Sequence, residues 1–260
     1  MMFKGHSLSR LTVLDLGLFD VGPGQRLIGI PGFLLETDKG ARILVDTGFD
    51  PMYATDPAAA EARDGLSRFG RLVGYSARQT LEGQLALLGL GLADMSALVL
   101  THGHIDHVGS LPLLACPVWL TGAERAEVRP IYFGKVRPID WPDLPYHRIE
   151  TETDLALGIT LLPTPGHTPG HLSLLLGLPT GQKLILAADA INRMSEPEHG
   201  FPDADDPQTA ALSAARLGDL ARQHGAQILY GHEPTQWPEW PKAPARWGDD
   251  RSVAGPSGRL

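Results

Sequence analysis

The sequence predicts an α/β fold, and three observations carry this prediction. Short apolar runs, each about the length of one strand, alternate with segments that have helix-capping residues. Four of the apolar runs lead to a histidine or an aspartate, as strands of an open α/β sheet do where they reach a functional site. A chain of 260 residues with 43% apolar and 20% charged residues is typical of one large domain with a substantial core.

Residues 96–101 form the first of these apolar runs, and the polar residues that bound it are typical of a buried strand. The compact apolar run 108–115 is interpreted as a short helix. The residues between them therefore form a strand-to-helix loop, where Gly103 and Gly109 let the backbone turn without a Cβ. The other three apolar runs are also predicted to be strands: 159–162, 183–188 and 227–231.

Two helices are predicted from the residues at their ends. One covers 76–89, with a capping serine at its start and a glycine at its end. The other covers 206–224, with Asp206 as the N-cap and Pro207 in the first helical position. The buried stripe of this second helix is predicted to be Leu212, Leu217, Leu220 and Ala221.

Composition and charge argue against several classes of function. The formal net charge of −8 disfavours nucleic acid as a partner, because nucleic-acid-binding surfaces are usually basic, and a small-molecule substrate is expected instead. Neither a signal peptide nor membrane attachment is expected, since no apolar run approaches the roughly 20 residues of a membrane span. Cys116 is the single cysteine, so no intrachain disulfide can form and a cytoplasmic location is expected.

The segment 101–109, Thr-His-Gly-His-Ile-Asp-His-Val-Gly, carries the strongest chemical signal. Within six residues it holds three of the ten histidines and an aspartate. Such a cluster would be costly to bury by itself, whereas neutral imidazoles and ionised aspartates are natural ligands of a divalent cation. His102 and His104 can bind one ion while Asp106 and His107 point toward a second. The segment therefore predicts a two-metal site.

One motif cannot complete two coordination shells, and the ends of the other three predicted strands supply further donors. The run 159–162 leads through Pro-Thr-Pro-Gly to His167, the next run ends at Asp189, and the last leads to His232. Four strand ends that bring seven donors together are a specific signal for metal binding. Because no cysteine is among them, the donors suit zinc, with iron, manganese and cobalt as alternatives.

In order along the chain, these motifs resemble those of the metallo-β-lactamase superfamily. The matching patterns are His-x-His-x-Asp-His at 102–107, Thr-Pro-Gly-His-Thr-Pro-Gly-His at 164–171, and the later aspartate and Gly-His. Ile-Leu-Val-Asp-Thr-Gly at 43–48 resembles the early strand and turn of that superfamily. The resemblance implies a four-layer αβ/βα sandwich with two metals at its mouth. It assigns His102, His104 and His167 to one metal, Asp106, His107 and His232 to the other, and Asp189 to both.

Two further residues are expected to support these donors. Asp46, in the Asp-Thr-Gly turn, is predicted to orient a ligand histidine or its loop. His171 shares the Thr-Pro-Gly-His repeat with His167; a supporting hydrogen bond is favoured for it, with direct metal contact as the alternative. The isolated histidines are interpreted as structural or exposed: His6, His147 and His224.

The ligand set favours metal-assisted hydrolysis. Histidine at position 104, where a glutamate would resemble flavin-linked diiron oxygen reductases, points to a hydrolase. A bridging hydroxide is expected to attack an ester-type carbonyl, with one metal polarising the carbonyl oxygen and the other stabilising the departing alkoxide. Asp106 or Asp189 is the expected proton carrier.

Within the superfamily, the sequence most resembles the N-acyl-homoserine lactonases and the related pyridoxolactonases. This resemblance rests on residues 44–51, 188–190 and 230–237 and on the Asp-Pro start of the second helix. It implies a quorum-quenching lactonase, in which Asn192 would be the oxyanion donor at a position where those lactonases usually carry a tyrosine. The alternatives are an organophosphate (phosphotriester) hydrolase, which would use the same seven donors, and a glyoxalase-II-like thioesterase.

Residues 1–240 are predicted to form a single catalytic domain, and residues 241–260 a Pro- and Gly-rich C-terminal tail. Segment 129–147 is too rich in proline and aromatic residues for a regular helix, so it is expected to rim the site, with Phe133 and Trp141 as an apolar wall. The opposite lip is assigned to Phe49, Met52 and Tyr53. The alternative is that these aromatic residues cover a surface or a homodimer contact.

Overall fold

The computed structural model describes residues 3–22, 26–132 and 137–248. Its strands are β1 (Leu8–Val21), β2 (Arg26–Thr37), β3 (Arg42–Val45), β4 (Gly70–Val73), β5 (Ala97–Val99), β6 (Val118–Thr121), β7 (Tyr146–Ile149), β8 (Thr153–Ala156), β9 (Ile159–Pro163), β10 (Leu172–Gly177), β11 (Lys183–Ala188) and β12 (Gln227–Tyr230). Its α-helices are α1 (Met52–Thr55), α2 (Pro57–Asp64), α3 (Leu81–Ala86), α4 (Ile105–Val108), α5 (Gly122–Ala126), α6 (Glu196–His199) and α7 (Pro207–His224). Short 3-10 helices include Leu111–Leu113 and Asp189–Ile191.

The strands form two mixed sheets. The seven-stranded sheet has the order β4-β1-β2-β3-β5-β6-β7, and the five-stranded sheet has the order β12-β11-β10-β9-β8. In the first sheet β3, β5, β6 and β7 are parallel neighbours, while β1 is antiparallel to both β2 and β4. In the second sheet β9 and β11 are both antiparallel to β10, and β12 is parallel to β11. Therefore β9, β11 and β12 point the same way and end at the same edge.

Alternation of side chains along the strands divides the core into three layers. In β2, Phe33 and Leu35 face the five-stranded sheet, whereas Leu34 packs with the helices that cover the outer face of the first sheet. In β11, Leu186 joins the core between the sheets and Ile185 packs under α7. Two sheets face to face, each covered by helices, are the predicted four-layer αβ/βα sandwich, which is confirmed.

The helix predicted over 206–224 is confirmed. Asp206 accepts hydrogen bonds from the backbone N–H groups of Gln208 and Thr209, both at 3.1 Å, and Gly225, with φ 61°, caps the C-terminal end of α7. The prediction of its buried stripe is wrong at Leu212, which is 73% exposed. The buried residues of α7 are Ala210, Ser213, Ala214 and Leu217, and Leu220 and Ala221 are partly buried against them.

Two other predicted helices have different bounds. The helix predicted over 76–89 is only α3, because Ser76 and Gln79 close a separate turn and Thr80 is the residue that caps the helix, accepting from Gly83 N at 3.1 Å. The short helix predicted over 108–115 starts earlier, within the metal motif. Helix α4 ends at Val108, and a 3-10 helix at Leu111–Leu113 follows it.

Residues 241–248, at the start of the predicted tail, lie along β1. The backbone N–H groups of Ala243 and Trp247 donate to the carbonyls of Val13 and Leu11, at 2.9 and 2.8 Å. Residues 249–260 lie outside the described residues, and the domain boundary at 240 stays a prediction. Among the helices in the described ranges, none is both long and apolar enough to cross a membrane.

Candidate metal centre

The fold places the seven predicted donors at the ends of four strands. Strand β5 leads into the loop that carries His102 and His104 and then into α4, which carries Asp106 and His107. The loop after β9 carries the first histidine of the Thr-Pro-Gly-His repeat, and Asp189 directly follows β11. The remaining donor comes two residues after β12. Their ligand atoms form two groups, each within 4.8 Å: His102, His104, His167 and Asp189 in the first group, and Asp106, His107 and His232 in the second group.

Asp189 faces both groups with different oxygens. Its Oδ2 lies 3.2 Å from His167 Nε2 and 3.8 Å from His102 Nε2. Its Oδ1 lies 3.5 Å from His107 Nε2 and 3.4 Å from His232 Nε2. This is the arrangement expected of a carboxylate shared by two cations, and it agrees with the role that the sequence resemblance implied.

The donor set fits a pair of metal ions. His102 Nε2, His107 Nε2 and Asp189 Oδ1 are buried polar atoms without a hydrogen-bond partner among the described residues. In addition, His104 Nδ1 and His167 Nε2 lie 3.0 Å apart, close enough to share a proton or to bind one cation in its place. Unpaired buried polar atoms are costly, and cations between these lone pairs would remove that cost. That these residues are metal ligands stays a prediction.

A hydrogen-bond network behind the donors orients their rings. Asp46 accepts from His107 Nδ1, Thr101 Oγ1 and the backbone N–H of Thr101, each at 2.8 Å. Since the Thr101 hydroxyl donates to Asp46, it accepts from His102 Nδ1 at 3.0 Å. His232 Nδ1 donates to the carbonyl of Gly29 at 3.0 Å. Each ring thus has its Nδ1 bonded to a partner behind the site and turns Nε2 toward the site, so the predicted orienting role of Asp46 is confirmed.

His171 supports Asp189 and uses both of its ring nitrogens to do so. Its Nε2 accepts from the backbone N–H of Asp189 at 3.1 Å. Its Nδ1 lies 2.9 Å from Thr164 Oγ1, which also contacts Ser173 Oγ at 2.8 Å. Burial, and then the neighbouring His167, hold the pKa of His171 well below its usual range, so the ring stays neutral. The favoured interpretation of His171 as a hydrogen-bonding support is confirmed.

The buried charges of the site need balancing positive charge. Burial, and then His167, lower the pKa of His104 to about 3. Burial would also lower the pKa of His107, but the carboxylates of Asp106, Asp46 and Asp189 outweigh it and raise that pKa to about 9. Burial opposes ionisation of Asp106, yet His107 and His232 lower its pKa to about 2. Asp106 is therefore ionised at neutral pH, and these carboxylates draw positive charge to this end of the sandwich, carried by the protonated His107 ring where no cation takes its place.

Two residues with positive φ lie beside the donors. Asp46 has φ 60° and Ala188, which precedes Asp189, has φ 45°. A residue with a side chain pays about 1–3 kcal/mol in such a conformation, which persists only where the surroundings enforce it. Here the strand register and the hydrogen bonds of Asp46 and His171 supply that enforcement.

Asn192, the predicted oxyanion donor, lies in the turn beside the second group. Its backbone N–H donates to Glu196 Oε2 at 2.7 Å, and its carbonyl accepts from His232 N at 2.9 Å. The side-chain Oδ1 is buried and has no hydrogen-bond partner among the described residues. The turn is therefore rigid while the side-chain amide is uncommitted. Its catalytic role stays a prediction.

The predicted lip is wrong for Phe49 and Tyr53. Phe49 is 2% exposed and packs against Phe19, Tyr53 and Tyr75, so it belongs to the core beneath the first sheet. Met52 is only partly buried and packs against the same core.

The predicted wall is partly within the described residues. Trp141 donates from Nε1 to the Glu127 carbonyl at 2.8 Å, and its ring contacts Arg125 and Tyr146. These contacts are with α5, the residue that follows it and β7, and none of them is with a donor. Phe133 lies outside the described residues.

The sequence does not predict the role of two residues near the donors, Tyr132 and Glu124. Tyr132 is fully buried with φ 63°, and it pairs with the metal loop through hydrogen bonds from Ile105 N to its carbonyl and from its N–H to the Gly103 carbonyl. Glu124 is fully buried and accepts from Gly103 N. Only Glu124 has a signal in the sequence, a Thr-x-x-Glu cap pattern at 121–124, where Thr121 caps α5.

Comparison with known proteins identifies the family of this chain. The profile of the Metallo-beta-lactamase superfamily matches residues 30–232. This chain belongs to the metallo-beta-lactamase superfamily, and the predicted family is confirmed.

Individual proteins similar to this chain have more specific names than the superfamily does. The chain is 30% identical over 237 residues to the N-acyl homoserine lactonase AttM of Azorhizobium caulinodans, which covers 84% of this chain and 86% of that protein. It is also 30% identical over 228 residues to the N-acyl homoserine lactonase AiiA of Bacillus thuringiensis subsp. kurstaki, over 82% of this chain and 85% of the relative. An N-acyl homoserine lactone hydrolase solved with the product N-hexanoyl-L-homoserine at its catalytic metal center shares the fold, with a TM-score of 0.79, 24% identity, and coverage of 92% of this chain and 99% of that one.

Proposed function

We propose that this protein is a dinuclear metal-dependent hydrolase that opens the lactone ring of N-acyl-homoserine-lactone-like substrates. The observation that carries the dinuclear site is Asp189, whose two oxygens face two separate groups of donors. The observation that carries the substrate is the similarity to relatives named as N-acyl homoserine lactonases, over more than four fifths of the chain. The function is therefore quorum quenching by lactone hydrolysis.

The proposed metals are two zinc ions, because histidine and carboxylate donors without a thiolate suit zinc. His102, His104 and His167 would hold one, Asp106, His107 and His232 the other, and Asp189 would contact both. When bound, such ions polarise a carbonyl oxygen and make a water nucleophile available at neutral pH. Iron, manganese and cobalt, which accept the same donors, are the alternatives that metal analysis would distinguish.

Two further roles, proton transfer and hydrogen bonding to the substrate carbonyl, are proposed for Asp106 and Asn192. Asp106 is the better proton carrier, because its side chain is 16% exposed, compared with 6% for that of Asp189, whose two oxygens both face histidines. A carboxylate with access to the substrate can take a proton from the attacking water and pass it to the departing ring oxygen. Asn192 is placed by the bonds of its backbone to Glu196 and His232, and its side-chain Nδ2 would be the donor to the substrate carbonyl oxygen.

The proposal is tested by the substrate preference of the purified protein. We expect N-acyl-homoserine lactones to be hydrolysed with a kcat/KM at least about 10²-fold above that for a thioester or a phosphotriester, since the relatives are lactonases. Ring opening is measured from the acid that it releases, and the product is identified as the N-acyl homoserine by mass spectrometry. A preference for the phosphotriester would identify an organophosphate hydrolase instead, and a preference for the thioester a glyoxalase-II-like enzyme.

A further inference from the structure

Glu124 is a buried carboxylate that the reaction does not use. It lies in α5 immediately after β6 and is 0% exposed. Its Oε1 accepts from the backbone N–H of Gly103 at 2.7 Å, and its Oε2 accepts from Thr168 Oγ1 at 2.7 Å. Such a buried carboxylate is retained at a cost, and hydrogen bonds to both of its oxygens offset that cost.

The two partners of Glu124 lie next to three of the four donors of the first group. Gly103 separates His102 from His104, and Thr168 directly follows His167. The loop with Gly103 comes from the seven-stranded sheet, whereas the loop with Thr168 comes from the five-stranded sheet. One carboxylate therefore joins ligand-bearing loops from the two halves of the sandwich.

Glu124 is itself held in a fixed position. Thr121 Oγ1 accepts from Glu124 N at 3.1 Å and donates to the Gly170 carbonyl at 2.5 Å. A Cβ at Gly170 would lie 2.1 Å from Glu124 N, so only glycine lets the loop after His167 come this close to α5. The helix start, the carboxylate and this loop thus form one rigid unit.

The second group is oriented by other residues. His107 is held by Asp46 and His232 by the carbonyl of Gly29, and neither of these supports contacts Glu124 among the described residues. The Asp46–Thr101 network also reaches His102 of the first group, so the supports overlap there. The Glu124 carboxylate, in contrast, bonds within the described residues only to loops that carry donors of the first group, so its replacement perturbs that group selectively.

We propose that Glu124 is a positioning residue for the first donor group, and that it sets the metal affinity of that group by fixing His102 and His104 relative to His167. The inference rests on the proposed metal centre but not on the identity of the substrate. Supporting residues that hold ligands in place typically contribute about 10–100-fold to metal affinity. The second group should keep its affinity when Glu124 is replaced.

The experiment measures metal binding in the absence of substrate. Metal-free wild type, Glu124→Ala, Glu124→Gln and Thr168→Val are titrated with Co²⁺, followed by the visible absorption of the bound ion, and with Zn²⁺, followed by calorimetry. Glu127→Gln is the matched control, because Glu127 ends the same helix but is one-third exposed and pairs with Arg137 at 2.7 Å. Circular dichroism and thermal unfolding of the metal-free proteins establish that each variant is folded.

The expected result for Glu124→Ala is one site weakened about 10–100-fold and the other unchanged. Glu124→Gln should lose less, because its amide oxygen can still accept from Gly103, and Thr168→Val, which removes one of the two hydrogen bonds, should also lose less. The control should bind both ions as wild type does. If Glu124→Ala fails to fold, the two milder variants decide the outcome.

Four other results are possible, and each has a definite meaning. Folded variants whose two affinities stay within about twofold of wild type would overturn the inference, and so would an equal weakening of both sites, since that indicates a general role in stability. Wild type that binds no metal would instead contradict the proposed function. Normal metal binding with no lactone hydrolysis would leave the role of Glu124 intact and refute only the proposed substrate.

Discussion

Replacement of Asp189 by alanine should lower the kcat/KM for lactone hydrolysis by about 10³-fold or more and should reduce the bound metal below two ions per chain. Asp189 is the one described carboxylate whose oxygens lie within 3.8 Å of histidines from both groups. A loss of 10³-fold corresponds to about 4 kcal/mol, which is within the several kcal/mol that metal ions contribute to stabilising charge in a transition state. Activity and metal content are measured on the same preparation.

The matched control is Asp154→Ala, which removes an exposed aspartate whose side chain accepts from Thr160 Oγ1. This variant should retain two metals and the activity of wild type. An Asp189→Ala protein with both metals and undiminished turnover would show that Asp189 is not shared between two ions.

Replacement of Asp64 by alanine should lower the free energy of unfolding by about 2–4 kcal/mol, because two tyrosine hydroxyls lose a buried acceptor. Arg63, whose side chain is 28% exposed, keeps its ion pair with Asp50. Asp64 is 1% exposed and accepts from Tyr53 Oη at 2.8 Å, Tyr132 Oη at 3.0 Å and Arg63 Nε at 2.6 Å. Burial and the neighbouring Asp64 carboxylate raise the pKa of both tyrosines, so their hydroxyls keep the protons that they donate. Without Asp64, the guanidinium and both hydroxyls would lose this partner.

Urea unfolding of the metal-free protein measures this effect without a contribution from metal binding. The midpoint should fall while the slope with denaturant stays the same, and thermal unfolding should shift by about 10 °C for a chain of this size. The exposed Asp154→Ala should change the unfolding free energy by less than about 1 kcal/mol. Equal unfolding curves for wild type and Asp64→Ala would refute a stabilising role for this network.

The donors of the candidate site are predictable because their signals are local in sequence. Three histidines and an aspartate within 102–107 are unusual in a protein that binds no metal. An apolar run that ends in a single donor indicates the end of a strand. The parallel directions of β9, β11 and β12 then bring His167, Asp189 and His232 to the same edge. Asp46 is predictable for the same reason, since it too ends a strand.

The supports of the donors are not predictable from sequence, because they depend on contacts between distant segments. Glu124 meets Gly103 and Thr168 only once the two sheets are packed together, and a Thr-x-x-Glu pattern by itself indicates nothing more than a helix start. Tyr132 joins the metal loop through its backbone, where residue type gives no signal.

The errors in helix bounds have local causes. The serine at 76 is a plausible N-cap, yet Thr80 caps α3 instead, because Ser76 and Gln79 bond to each other in the preceding turn. Leu212 is exposed because the small residues Ala210 and Ala214 face the sheet and let α7 lie close to it. Periodicity based on the largest apolar side chains therefore selects the wrong face at that position.

Titration of the metal-free protein with Zn²⁺, with lactone hydrolysis measured at each addition, tests the dinuclear centre most directly. Hydrolysis should be absent without metal and should rise to its maximum at two equivalents of zinc per chain, because Asp189 faces two donor groups. His147→Ala, which removes an exposed histidine away from the donors, should give the same curve, whereas His232→Ala should not reach full activity. A maximum at one equivalent, or hydrolysis that persists without metal, would contradict a two-metal lactonase.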